Sequence, residues 1–380
     1  PSVNLRDCWR DCREQLPSSL QSLLNHYEFA TSLTLANDDP AKSAWQNYVP
    51  ELATENWYLV HGVLAIASLH LSRLHDNEDR KSEMRNLAAD QMNKALALYR
   101  PALENVEEKS AAALFACATL TALYFFRTST LDIEETLASM PKGPAGPPPQ
   151  IISRLLQSVC KTFYGLRGAY VVLKPGWKWV SSGKLSPVAV RKWWPKSRVP
   201  ASDRAIEEDK RLCQLERLWI APGRAYESHF DSLTEALALL RETYALVSQL
   251  TVPGNSYPTR TAIPYTTDDT SIGLLKDRGA IMQWPVRVPR EFMILLEKQN
   301  HEALVLAAYY AVLPGRVRNV WWLEGMGASM IMAIAAALGR ENWHLIDWPA
   351  QVVGVDLNGS LNPQSPSEGA FVDDFHMNVI

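Results

Sequence analysis

Apolar side chains recur at helical spacing along most of this chain. Over residues 18–35, Leu20, Leu23, Leu24, Tyr27, Leu33 and Leu35 return at such intervals, and Pro17 stands where a helix can start. The cluster Asn37-Asp38-Asp39-Pro40 predicts a turn, followed by a second helix carrying Trp45 and Tyr48 and broken at Pro50. Residues 57–74 are apolar on nearly every side, as expected of a helix in the middle of a helical core. Residues 83–99 and 110–127 continue the series, with Pro101 between them where a new helix can begin. The run MPKGPAGPPP that starts at Met140 holds too many prolines and glycines for helix or sheet, so it reads as a loop and as the best candidate boundary.

Beyond that run the pattern predicts a helix over 151–173, a turn at Pro175-Gly176 and a segment rich in tryptophan (Trp177, Trp179, Trp193, Trp194). Amphipathic helices are expected at 207–219 and 226–250, and a long exposed loop over the polar, threonine-rich 251–269. Further helices follow at 289–297, 301–313 and 325–338, and the chain past Val355 is poor in apolar residues, as in a flexible tail. No strand repeat or solenoid period is visible. The expected organisation is all-α and multi-helix: an N-terminal helical part over 1–139, a Pro/Gly-rich loop over 140–150, a C-terminal helical part over 151–355 and a tail over 356–380.

Composition narrows the classes. A chain of 380 residues, 47% hydrophobic and 21% charged, can bury a large core without disulfide staples. A net charge of −3 argues against broad contact with nucleic-acid phosphates, which needs a basic surface. The five cysteines, Cys8, Cys12, Cys117, Cys160 and Cys213, are odd in number and mostly far apart, which suits free thiols. Cys8 and Cys12 supply two of the four ligands that a closed zinc site requires, so no metal or cofactor is expected. The opening PSVNLRDCWRDCR has no apolar signal core. The longest uncharged apolar stretches, 303–313 and 325–338, fall short of the roughly 20 residues that span a bilayer, so no membrane span is expected.

Enzyme signatures fail on spacing. The G-x6-G-K-L of Gly176 to Leu185 has too many residues between its glycines for a phosphate loop and no hydroxyl after the lysine. Gly325-Met326-Gly327 lacks the third glycine and the preceding strand of a dinucleotide fingerprint. No G-x-S-x-G elbow occurs, none of the eight histidines has an H-x3-H partner, and His61 and His70 read as inert hydrogen-bonded groups. Glu324, after Trp321 and Trp322, reads either as a buried acid with a raised pKa or as a carboxylate favoured by the dipole of the following helix. Thirteen tryptophans fit a core first. Met326, Met330 and Ile334 at i, i+4, i+8, with the small Gly325, Gly327, Ala328 and Ser329, add the expectation of an adaptable apolar pocket.

Three separated segments carry a family resemblance. LLNHYEFATSLTLANDDPAKSAWQNYVPELATENWYLVHGVLAIASLHLSRL (Leu23 to Leu74), FYGLRGAYVVL with KWVSSGKLSP (Phe163 to Pro187), and Met282 to Pro349 with its VWWLEGMGASM core resemble, in this order, the fungal-specific transcription factor domain of sterol-uptake-control zinc-cluster regulators. The resemblance implies an all-α regulatory domain, often a homodimer, acting in the nucleus with cytoplasmic retention, whose C-terminal helices hold a sterol or related apolar metabolite. Carried over by motif position, that pocket lies near Phe292, Leu306, Tyr309, Tyr310, Trp321, Trp322, Gly325, Met326 and Met330, with Glu324 beside it. Such regulators reach DNA through a six-cysteine zinc cluster, which is absent from this chain. The sequence departs from the family where Met326 replaces a usual tryptophan, where Pro314-Gly315 interrupts a helix end, and where Pro175 falls in a normally continuous helix. Two functions stay open: a ligand sensor of a transcription factor, and a stand-alone cofactor-free cyclase of a secondary-metabolite pathway that uses the same pocket as a shaped chamber.

Overall fold

The computed structural model describes residues 9–140, 146–252, 274–317 and 320–361, and among these the chain is all-α. Their only sheet is a two-residue antiparallel ribbon, Thr251–Val252 (β1) against Leu274–Leu275 (β2). Cys8, residues 141–145 of the Pro/Gly run, the expected loop beyond Val252 and the tail beyond residue 361 lie outside the described residues.

The first expected helix forms as one run: Ser18–His26 (α1), a π-helical turn Tyr27–Thr31, and Ser32–Thr34. Asp38 then caps the helix Asp39–Ser43, its carboxylate accepting from the Ala41 amide at 2.9 Å. That helix passes through a second π-helical turn, Ala44–Tyr48, into Val49–Ala53. Pro50 does not break it, contrary to expectation. It occupies the first turn of Val49–Ala53, just after the π-turn has shifted the bonding register, where the missing N–H is tolerated.

Trp57–Leu74 (α2) is the central helix that its all-round apolar sequence predicts, with Leu59, Val60, Val63, Leu64 and Ile66 fully buried. Glu78–Ala102 (α3) is more polar and buries a stripe of Ala88, Met92, Ala95 and Tyr99. Pro101 lies in the last turn of α3 rather than starting the next helix, so the helix ends one residue later. Glu108–Ala138 (α4) starts on a reciprocal capping box between Glu107 and Ser110 and runs eleven residues past its expected end. The hydroxyls of Thr128, Thr130 and Thr136 fold back onto carbonyls four residues earlier, which lets these polar side chains continue the helix.

Pro149–Ser182 (α5) runs through Pro175 and Gly176, where a turn is expected. The carbonyl that a helical Pro175 leaves without a donor belongs to Val171, which is 65% exposed, so water can reach that turn. Asp203–Gln214 (α6), Phe230–Leu250 (α7), Arg290–Glu297 (α8), His301–Arg316 (α9), Met326–Leu338 (α10) and Asp347–Val353 (α11) follow. Pro314-Gly315 does not interrupt α9, which continues to Arg316. Gly315 and Gly327 are where α9 and α10 touch: a Cβ on Gly327 would sit 2.5 Å from the Gly315 Cα.

Helices α4 and α5 pack along each other, α2 lies against α3 and α4, and the α9–α10 pair closes on α4 and α5 through α10. One continuous apolar core therefore joins Leu64 and Leu120 to Phe163, Leu306 and Ile334, on both sides of the Pro/Gly run. By length and composition alone, Glu108–Ala138 and the stretch Trp321–Leu338 are apolar enough to cross a membrane, but 72% of the most apolar 18-residue window of each is buried in this core.

Candidate functional site

Trp321 and Trp322 lie in a short 3-10 turn, Trp321–Leu323, that links α9 to α10. The two adjacent indoles enter different surroundings. Trp321 stacks on His70 with ring centres 5.0 Å apart, and its Nε1 donates to the Thr34 hydroxyl at 2.9 Å. His70 in turn is hydrogen-bonded through Nδ1 to the Thr31 hydroxyl at 3.0 Å. Burial pulls the His70 pKa down to about 4, helped by the neighbouring His26 and Arg73, so the ring is neutral at pH 7. This agrees with the reading of His70 as an inert core group.

On the Trp321 side lies a cavity of about 170 Å³, walled by Gly315, Trp321, Glu324, Gly325 and Gly327 among others. Glu324 is not a buried acid with a raised pKa. Its side chain is half exposed, the Arg73 Nε donates to it at 2.7 Å, and this hydrogen bond, together with the charges of Arg73 and Arg127, holds its carboxyl below the usual range. The Arg127 guanidinium also donates to the Glu324 carbonyl at 3.0 Å. Gly325 has φ of +76°, and a Cβ there would lie 2.7 Å from a Glu134 carboxylate oxygen, so glycine is needed for the turn rather than to leave room for a ligand. Gly327 likewise has its space filled, by α9.

On the Trp322 side lies a second cavity, of about 190 Å³, between α4, α5, residues 35–45 and residues 276–282. Its body is apolar: Trp45, Phe115, Leu123, Phe126, Leu166 and Trp322 line it. Trp322 is 3% exposed, packs on Phe126, and its Nε1 has no acceptor among the described residues. A buried donor without a partner is uncommon and costs about 1–3 kcal/mol.

The mouth of this cavity is polar and tightly tied. The Asp277 carboxylate accepts from the Arg191 guanidinium, from Trp194 Nε1 at 3.0 Å and from the Gly279 amide at 2.8 Å. The Asn37 amide donates to the carbonyls of Leu275 and Lys276 at 3.1 and 3.2 Å. Arg278 donates through Nη1 to the Thr34 carbonyl at 2.8 Å. Thr34 thus bonds to Trp321 through its side chain and to Arg278 through its backbone, and so connects the walls of the two cavities.

A third depression, of about 600 Å³, runs along Phe125, Leu156, Cys160 and Tyr164 to Glu297. It is a surface groove in which Tyr164 is 45% exposed. The Tyr164 hydroxyl donates to Glu297 at 2.8 Å, and burial followed by this bond pushes its pKa up to about 12. Among the described residues no cluster of three or more His, Cys, Asp or Glu could hold a metal.

The ten sequence-derived site residues fall in several places. Trp321, Glu324 and Gly325 line the first cavity and Trp322 the second. Phe292 and Tyr310 belong to a fully buried aromatic cluster around Trp284, which stacks on Tyr310 at 4.9 Å and meets Phe292 edge-on at 5.2 Å. Tyr309 packs on Trp348, and its carbonyl accepts from the Tyr244 hydroxyl at 2.6 Å. Leu306, Met326 and Met330 are buried in the core and line none of the three cavities. Sequence reading missed the opposite wall of the second cavity, Trp45, Phe115, Phe126 and Leu166, together with Arg191 and Arg278 at its mouth. The available signal was an aromatic face on residues 115–126, which helical periodicity alone assigns to the core.

Residues 22–135, which span α1 to α4 and carry much of that wall, match the family model of the fungal-specific transcription factor domain. The chain is also 23% identical over 350 residues to a Zn(2)-C6 fungal-type transcription factor of Gibberella zeae, an alignment that covers 90% of this chain and 63% of the relative. The chain therefore spans less than two thirds of that relative's length.

Proposed function

We propose that this chain, which carries a fungal-specific transcription factor domain, is the ligand-sensing regulatory part of a fungal transcription factor and holds an apolar metabolite in the cavity beside Trp322. The carrying observation is a concave cavity walled by Trp45, Phe115, Phe126 and Trp322, the aromatic-lined kind of site that takes an apolar small molecule. DNA contact belongs to a separate module, in keeping with the net charge of −3, and the site of action is the nucleus.

The hydrogen bonds at Thr34 give a route from ligand to response. A molecule against Trp322 bears on the Trp321–Leu323 turn, and Trp321 is tied through Thr34 to both the N-terminal helices and the 276–282 segment. Ligand that binds one arrangement of this junction better than another shifts the population of regulator states by that difference in affinity. The volume of about 190 Å³ favours a molecule much smaller than a sterol, because an apolar cavity of about 150 Å³ is filled by benzene.

The test is a reporter assay with the chain fused to a heterologous DNA-binding module in a fungal host. Ala169→Phe fills the cavity from α5 and should fix reporter output at one level, whatever metabolites the host makes. Output that follows growth conditions equally in the wild type and in this variant would refute the assignment of sensing to this cavity.

A further inference from the structure

Resting on the sensing reading above, the chemistry of the cavity specifies the class of its ligand. Five charged side chains line it: Arg191, Lys276 and Arg278 are cationic, Asp38 and Asp277 anionic. Both carboxylates are engaged within the protein. Asp38 caps the Ala41 amide, and Asp277 accepts three hydrogen bonds, one of them from Arg191. Arg278 is different. A guanidinium has five N–H donors, and among the described residues Arg278 makes one hydrogen bond, to a neutral carbonyl, and no ion pair within 4 Å. Half-buried against an apolar wall, it is a cation with no carboxylate bonded to it among the described residues, and burial pulls its pKa down to about 10 despite the nearby charge of Asp277.

The neutral polar side chains of the lining, Asn37 and Thr119, are already bonded. The Asn37 amide serves two carbonyls and the Thr119 hydroxyl donates to the Phe115 carbonyl. What the cavity leaves unused among the described residues is therefore cationic donor capacity, on the half-buried Arg278 guanidinium and on the more exposed Lys276 ammonium. A carboxylate is acceptor-only and matches the fork of a guanidinium, whereas a sterol hydroxyl brings one weak neutral acceptor. The volume of about 190 Å³, a little above that of a benzene-sized cavity, limits the apolar body to one ring or a short chain.

We infer that the cavity beside Trp322 takes a small organic anion, a monocyclic aromatic or short-chain carboxylate, with its body on Trp45, Phe115 and Phe126 and its carboxylate on Arg278. The anion supplies the ion-pair partner that Arg278 does not have among the described residues. The apolar body displaces water from a cleft whose aromatic walls gain nothing from holding it.

Isothermal titration of the whole chain at pH 7 tests this with two probes of like size, phenylacetate and 2-phenylethanol. Phenylacetate should bind at least about ten-fold more tightly, the scale of a charge-assisted hydrogen bond. Arg278→Gln should reduce that ratio to near one. Equal binding of acid and alcohol by the wild type overturns the inference but leaves apolar sensing in place, as does an Arg278→Gln protein that keeps the preference. Failure of both probes to bind also overturns it, and the Ala169→Phe reporter assay then judges the sensing reading separately. Should Arg278→Gln not fold, the acid-to-alcohol ratio of the wild type decides alone.

Discussion

Replacing Gly327 by alanine sets two opposing effects against each other. In a helix, alanine is normally better than glycine by about 1 kcal/mol, because glycine loses more backbone freedom on folding. Gly327 stands in the first turn of α10, and helix propensity alone predicts that Gly327→Ala stabilises the protein. The added Cβ, however, would lie 2.5 Å from the Gly315 Cα, 2.7 Å from the Ala311 carbonyl oxygen and 2.8 Å from the Gly315 nitrogen. All three are backbone atoms of α9, so no side-chain rotation relieves the contact. Restoring ordinary packing means separating α9 from α10 by roughly 1 Å, within a core packed as densely as an organic crystal. Overpacking of this kind costs about 1–3 kcal/mol, or more where backbone must move, so the net effect is a loss of about 1–2 kcal/mol. Gly168→Ala is the control, because Gly168 is exposed on α5 with nothing within 4 Å of its added Cβ, and should gain about 0.5–1 kcal/mol. Urea unfolding followed by far-ultraviolet circular dichroism gives both midpoints. A Gly327→Ala midpoint at or above that of the wild type would refute the close approach of α9 and α10.

His70 should make stability fall in acid: its pKa lies near 4 in the folded protein and near 6.5 in the unfolded chain, so the unfolded chain binds the proton first. Its contribution is complete above pH 6.5 and is lost towards pH 4, by up to roughly 3 kcal/mol, and a His70→Gln protein whose urea midpoint keeps the wild-type pH slope would contradict this. Glu324→Gln should cost less than about 1 kcal/mol, because the Arg73–Glu324 pair is half exposed, and a loss well above that would show the pair to be shielded from water. The depressed Glu324 pKa adds that this small contribution is present above the ordinary carboxylate value and disappears as pH falls through the lower folded value. Met330→Trp should lower the unfolding midpoint by at least the usual 1–3 kcal/mol of overpacking, since Met330 is 1% exposed and lines none of the three cavities; a variant of wild-type stability would reveal free space at that position.

The helices were legible because each has a periodic apolar face, and the exceptions fall mostly at prolines. Pro50, Pro175 and Pro314 all lie inside helices, and what decides each case lies outside the proline itself. A preceding π-turn shifts the register before Pro50, solvent reaches the exposed turn before Pro175, and Gly315 beside Pro314 is held by Gly327 of another helix. The Trp321-Trp322 pair was visible as an oddity in the sequence, but its division between two cavities depends on Thr34 and Phe126, nearly three hundred and two hundred residues away. Arg278 was illegible for a related reason. Lys276-Asp277-Arg278 has no periodicity to assign it to a cavity, and only the fold shows that Asp277 is taken by Arg191 and Trp194, so that no carboxylate among the described residues bonds Arg278.

Native mass spectrometry of the chain purified from a fungal host, wild type beside Ala169→Phe, tests the ligand cavity most directly. The wild type should carry a small molecule which can be extracted as a carboxylic acid, and the cavity-filling variant should come through folded and bare. The same adduct on both proteins would place the ligand outside the cavity beside Trp322.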